Sequence, residues 1–153
     1  MTAAKNRLPQ NTAVAVHKTA PFRVTYADTD QMGHVYYANY LRWFETGRVE
    51  LLRSLGQSYK EWEKVENVYL PVKHCQVDYQ RPAAFDDLLQ IETSLVRLTR
   101  ASANFSYRVL RQEEVLATGT TEHPFVNEEG RILRIADRLL PQFFSPKSPG
   151  ETE

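Results

Sequence analysis

Two aspartates one residue apart, Asp28 and Asp30, stand ahead of Gly33, His34 and the aromatic residues Tyr36, Tyr37 and Tyr40. From Ala27 to Val35 the chain loses any regular apolar period, and from Tyr36 it takes up a helical one. A loop carrying two carboxylates therefore feeds a helix N-terminus. The first backbone N–H groups of a helix lack intrahelical acceptors and carry partial positive charge, which suits a carbonyl oxygen becoming an oxyanion. A carboxylate nearby could attack that carbonyl, or take a proton from a water that attacks it. Gly33 allows the main chain to approach a substrate closely or to take a positive φ. The His34 imidazole could orient water or substrate, or simply hydrogen-bond the loop. The parts of an acyl-transfer site thus lie in one short segment. Aspartates before a helix also cap and shape turns, so the residues alone leave a structural reading of Asp-Thr-Asp open and identify no thioester.

Other reactive residue types carry weaker signals. His74 and Cys75 are neighbours in a strand-like run, and neighbours in a strand point to opposite faces, which argues against joint metal ligation. Cys75 has no evident base on its own face and is expected in the core. Glu45 and Arg48 lie one helical turn apart and could pair. Trp43 and Trp62 fit core positions better than an acyl pocket. His123, beside Pro124, indicates packing only.

The elements that must position the loop follow from periodicity. Phe22, Val24 and Tyr26 alternate with Arg23 and Thr25, which predicts a strand. Tyr37, Tyr40, Leu41, Phe44, Leu51, Leu52 and Leu55 recur at spacings of three and four, painting an apolar stripe on a long helix. Gly47 falls near that stripe, where another backbone could come close, and Gly56 is placed to end the helix. A second, short helix is expected over Ser58 to Asn67, with Ser58 as its cap and Glu61 as the capping-box acid. Beyond it the alternating runs around Cys75–Tyr79, Leu89–Leu95, Ala101–Val109 and Val115–Val126 predict four strands joined by tight turns. Asn127-Glu128-Glu129-Gly130 is a turn, and Leu139, Leu140, Phe143 and Phe144 predict a short closing helix. Such strands pair antiparallel, and one long helix on their sheet makes an α+β fold. The other sheet face is expected to be covered by a second copy of the chain. Residues 1–20 and 145–153 read as flexible tails, leaving one domain over 21–144.

Composition narrows the partners. Lysine plus arginine and aspartate plus glutamate each number 19, so no global field favours nucleic acid. The single cysteine rules out an intrachain disulfide and is compatible with a reducing compartment. No run approaches the roughly 20 apolar residues that span a bilayer, and the first twenty residues hold no signal-like segment. A cytoplasmic protein without membrane insertion is the expectation.

The segment Tyr26 to Tyr40, followed by Trp43-Phe44-Glu45 and Gly47-Arg48, closely resembles the 4-hydroxybenzoyl-CoA thioesterase family. Leu70-Pro71-Val72, Asp78-Tyr79, Arg81-Pro82 and Asp87-Leu88-Leu89 extend the resemblance across Phe22 to Val126. Within the family the chain is similar to the acyl-CoA thioesterases encoded with the Tol–Pal envelope system. The resemblance implies a hotdog fold, a long helix wrapped by an antiparallel sheet, whose protomers pair into homodimers or homotetramers. It implies hydrolysis of an acyl-CoA thioester to free acid and CoA. The family's catalytic aspartate matches Asp30, as nucleophile or general base, and its carbonyl-polarising N–H matches Tyr37; Gly33 and His34 belong to the same motif. Asp28 is expected to shape the loop. Arg100 and Ser102, with Arg97 nearby, match the surface that binds the CoA nucleotide, where guanidinium forks suit phosphate; ordinary strand-end residues are the alternative. No metal or other cofactor is implied, coenzyme A being part of the substrate. An acyl carrier protein is a second possible source of the acyl chain. Two other readings stand beside this one: a different hotdog chemistry such as an acyl-thioester dehydratase, and a non-catalytic module that binds acyl-CoA or acyl carrier protein.

Overall fold

In the computed structural model, which describes residues 13–144, the elements run in chain order β1 (Ala15–Lys18), β2 (Phe22–Arg23), a 3₁₀ turn (Tyr26–Asp28), α1 (Asn39–Ser54) and α2 (Tyr59–Lys64). Four longer strands follow, β3 (His74–Tyr79), β4 (Leu88–Leu98), β5 (Ser102–Arg111) and β6 (Glu114–Pro124). A one-turn helix α3 (Ala136–Leu139) and a 3₁₀ turn (Pro141–Phe143) close the described chain. The sheet is antiparallel in the order β1-β4-β5-β6-β3, with β2 pairing the start of β4. This is the α+β hotdog arrangement.

The alternation read from sequence is realised in burial. Leu89, Ile91, Thr93 and Leu95 of β4, and Ala103, Phe105, Tyr107 and Val109 of β5, are buried on the face that receives α1. The helix presents Tyr40, Trp43, Phe44, Gly47, Leu51 and Leu52 to them. Phe44 stacks on Tyr107 with ring centroids 4.2 Å apart. Gly47 is required by proximity, because a Cβ there would collide with Thr93 Oγ1 and meet Ile91 Cγ2 at 3.0 Å. After Ser54 the Gln57 N–H donates to Leu52 O at 2.9 Å and the Gly56 N–H to Arg53 O at 3.0 Å, the paired bonds of a Schellman end. Ser58 caps α2 by accepting from the Glu61 N–H at 3.3 Å. Trp62 and Trp43 both lie in the core.

Several expectations need correction. The tail expected to reach Ala20 ends sooner, because Ala15–Lys18 pairs with Glu92–Leu95 and Thr19 Oγ1 accepts from the Ile91 N–H at 3.0 Å. The segment hid because its valines point outward: Val16 is 56% exposed, while Ala15 and His17 face in. Residues 1–12 and 145–153, the rest of the expected tails, lie outside the described residues.

The link between β3 and β4 is no tight turn. It crosses the end of the sheet and leaves β3 beside β6 at the far edge. Cys75 is therefore exposed rather than in the core, since β3 is the last strand of the sheet and no strand covers its outer edge. Glu45 and Arg48 do not pair; the Arg48 charge instead lies by Tyr107 and His123. The outer sheet face carries Glu92, Ser94, Ser106, Arg108 and Thr120, so it needs no second apolar layer. Exposed apolar surface gathers elsewhere, at Tyr26, Met32, Tyr36 and Tyr37 on the loop and at Val72 and Tyr79 beside and on β3.

Candidate active site

The loop is anchored first at Asp28. Its carboxylate is buried and accepts from the Thr25 N–H at 2.9 Å and the Thr25 hydroxyl at 3.0 Å, and it pairs with Arg42 of α1. Burial pushes its pKa up, but the Thr25 bonds and Arg42 outweigh burial and hold it below the ordinary 3.8. Its carbonyl accepts from Asn39 Nδ2 at 2.7 Å and from the Tyr36 N–H at 2.8 Å. Asp28 is thus a brace that ties the loop to the first turn of α1.

Asp30 has a different environment. It is exposed, and its Oδ1 accepts from the Met32 N–H at 2.8 Å and the His34 N–H at 3.3 Å. The Asp30 N–H donates to His34 O at 2.7 Å and the Gly33 N–H donates to Asp30 O at 3.1 Å, closing a tight loop. Gly33 has φ +79°, a conformation in which a side chain is strained. Among the described residues Oδ2 of Asp30 accepts no hydrogen bond, leaving one carboxylate oxygen open to solvent. The rim is fastened to the 83–85 segment: Val35 N–H donates to Ala83 O at 2.8 Å, and His34 bridges Ala84 through its backbone. The ring of Tyr26 stacks on Phe85 with centroids 3.7 Å apart.

Tyr37 precedes the helix rather than belonging to its stripe, because α1 begins at Asn39 with Ala38 as its N-cap. Its side chain is exposed, and Leu41, at the edge of the stripe, is 38% exposed. The neighbouring amides are occupied, Tyr36 donating to Asp28 O and Asn39 donating to Tyr36 O at 2.9 Å. No hydrogen bond between described residues uses the Tyr37 N–H. Its carbonyl accepts from the Tyr79 hydroxyl at 2.7 Å. A cavity of about 220 Å³ opens beside it, lined by Val35, Tyr37, Tyr40, Tyr79, Arg81 and Pro82 among others. A larger one, about 770 Å³, lies on the other flank of α1 between Phe22, Arg42, Trp43, Glu50 and Ile91, and none of Asp30, Gly33, His34 or Tyr37 lines it.

Arg97, Arg100 and Ser102 are not brought to this loop. They sit at the β4–β5 turn, whereas the loop packs beside the start of β4; an 11-residue strand separates the two ends by about 33 Å. Arg100 pairs with Asp137 at 3.3 Å and lies 5.7 Å from the centre of the Phe144 ring. Ser102 shares a hydrogen bond with the Thr99 hydroxyl at 2.8 Å. His74 and Cys75 are exposed on β3, and among the described residues no three His, Cys, Asp or Glu side chains cluster as metal ligands would. Arg42 had no distinguishing signal in sequence; Asn39 and Tyr79 lie in runs that carry the resemblance, but their bracing roles act across fold contacts and were not read there.

Residues 24–146 match the model of the thioesterase-like superfamily. The chain belongs to that superfamily of thioester hydrolases. It is 36% identical over 102 residues to a protein of Haemophilus influenzae named acyl-CoA thioesterase YbgC, covering 67% of this chain and 75% of that protein. It is similar to the crystal structure of a Bartonella henselae protein named as a probable thioesterase, with 38% identity and a TM-score of 0.74 over 79% of this chain and 99% of that one. A DHNA-CoA thioesterase from Staphylococcus aureus superposes with a TM-score of 0.76 at 27% identity, covering 84% and 86%. Among the described residues no helix is long and apolar enough to cross a membrane.

Proposed function

We propose that this protein hydrolyses acyl-CoA thioesters, with Asp30 as nucleophile or general base and the Tyr37 N–H as oxyanion donor. One observation carries the reading: an exposed carboxylate with a free oxygen and an unpartnered peptide N–H belong to one hydrogen-bonded loop at the start of α1. The N–H would stabilise negative charge on the thioester oxygen as the carbonyl carbon becomes tetrahedral. In one route Asp30 adds to that carbon, CoA leaves as thiolate, and water then hydrolyses the acyl-aspartyl bond. In the other Asp30 takes a proton from the water that adds. Both give acid and CoA, and neither requires a metal or redox cofactor. Gly33 supports the turn and His34 holds Asp30 through its backbone amide.

In this reading Arg100, Ser102 and Arg97 bind the CoA nucleotide, and their distance from Asp30 within one protomer calls for a second copy to supply them. A homodimer or homotetramer also fits the apolar residues exposed at the loop and the uncovered edge of β3. The names of similar proteins favour CoA over a carrier protein as the acyl donor. Thiol release from acetyl- to palmitoyl-CoA, benzoyl-CoA and hydroxylated aromatic CoA esters tests the reading. Turnover of at least one ester that collapses in Asp30→Asn is expected. Stoichiometric binding without thiol release would instead identify a binding module.

A further inference from the structure

Tyr79 lies outside the motif loop and the helix, yet it holds the peptide next to the one on which the proposed chemistry depends. It is the last residue of β3, and its ring stands edge-on to Tyr40 with centroids 5.0 Å apart. Its hydroxyl reaches the Tyr37 carbonyl at 2.7 Å, a chain separation of 42 residues. The direction of a peptide N–H is set by the soft dihedrals on either side of its plane. For Tyr37 the preceding peptide is held by the Tyr36 N–H donating to Asp28 O, and the peptide bearing the N–H is held at its carbonyl end alone, by Asn39 donating to Tyr36 O. Only the following peptide remains, and Tyr79 is the group that fixes it.

We propose that Tyr79 is a positioning residue for the oxyanion site, its hydroxyl holding the Tyr37 carbonyl so that the Tyr37 N–H keeps one direction toward the substrate. The inference rests on the reading of Tyr37 given above. Burial, with Tyr40 and Tyr37 alongside, pushes the phenol above its ordinary 10.0, so it stays a donor at any neutral working pH. Tyr79 also ties the site to the edge strand β3, so movement of that strand would be felt at the N–H.

Tyr79→Phe keeps the ring against Tyr40 and removes only the hydroxyl. It should lower kcat roughly 2- to 10-fold, the range a single hydrogen bond of ordinary net strength commands, with KM changed less than about twofold. The decisive readout is the carbonyl stretch of ¹³C=O-labelled benzoyl-CoA and acetyl-CoA bound to Asp30→Asn protein, with and without Tyr79→Phe. The single variant should shift the bound carbonyl to lower frequency than in water, and the double variant should lose part of that shift. Tyr79→Leu, which removes the ring as well, should melt lower than Tyr79→Phe but show the same carbonyl position. A shift retained in full by the double variant, with kcat unchanged in Tyr79→Phe, removes Tyr79 from the site and leaves the Tyr37 reading standing. No shift for either ester in the Asp30→Asn protein overturns the Tyr37 reading, and the role of Tyr79 falls with it.

Discussion

Changing each of the two loop aspartates to asparagine should separate stability from chemistry. Asp28 is 8% exposed and accepts two bonds from Thr25 besides pairing with Arg42. Asparagine at 28 keeps one acceptor oxygen, but its amide N–H₂ must then face Thr25 or Arg42, all of which donate. Hydrogen bonds to a charged group are worth about 1.5–3 kcal/mol. The Arg42 side chain is 60% exposed, so the ion pair adds less than about 1 kcal/mol. A loss near 2 kcal/mol follows, which for a domain of this size lowers Tm by roughly 6–10 °C.

Asp30 is exposed, and its two hydrogen bonds both end on Oδ1, which asparagine supplies equally well. Asp30→Asn should therefore change stability by no more than about 0.5 kcal/mol. Removal of a general base or nucleophile should nevertheless lower kcat at least about 10²-fold. The assays are thermal melts at pH 7 and thiol release from the best ester at a temperature where both variants are folded. Asp28→Asn should keep most of its activity per folded molecule. An Asp28→Asn protein that melts like wild type yet is inactive, or an Asp30→Asn protein that is active, would refute the assignment of brace and catalyst.

Three further outcomes follow from the structure. His123 is fully buried, bonded to Leu70 O at 3.0 Å and to the Thr121 hydroxyl at 2.7 Å, and burial with the nearby Arg48 charge lowers its pKa from 6.5 to about 4. The unfolded chain then binds a proton that the fold refuses, so stability should fall by about 3 kcal/mol as pH drops from 6.5 to 4; urea midpoints across that range in wild type and a flatter profile in His123→Gln check it. Gly47→Ala should destabilise by about 1–3 kcal/mol, because the added Cβ runs into the buried Thr93 and Ile91, and equilibrium urea unfolding measures the loss. Arg100→Ala should cost less than about 1 kcal/mol in a melt, its ion pair with Asp137 being half exposed, while raising KM for acyl-CoA with kcat kept; an unchanged KM would return Arg100 to an ordinary surface role.

The spacing of apolar residues disclosed α1 and three long strands because each buries one face, and burial imposes a period. Boundaries were less legible. Tyr37 continues the three-and-four spacing but precedes the helix, and Ala38 at the N-cap carries no side-chain cap that would have marked the start. β1 was missed because its larger apolar residues face solvent while an alanine and a histidine face inward. The place of β3 is a matter of long-range pairing: nothing in His74–Tyr79 says whether β4 or β6 will be its neighbour, and that choice decides the exposure of Cys75.

The loop shows why site chemistry resists a reading from sequence even where the motif is plain. Residues two apart on an extended chain share a face, so Asp28 and Asp30 taken as strand-like neighbours would point the same way and compete for one role. The 3₁₀ turn that ends at Asp28 breaks this relation. It draws the first carboxylate back onto Thr25 and under Arg42, a partner 14 residues further on, and leaves the second on a glycine-closed turn with one oxygen free. Identical side chains thus acquire opposite environments: one is spent on holding the helix start in place, while the other stays available to react beside it. The same holds for the amides, since those of Tyr36 and Asn39 are used in fastening the segment while those of Tyr37 and Ala38 between them are not. Which carboxylate and which N–H remain free depends on contacts made by Arg42, Asn39 and Tyr79, and these exist only once α1 and β3 have closed around the loop.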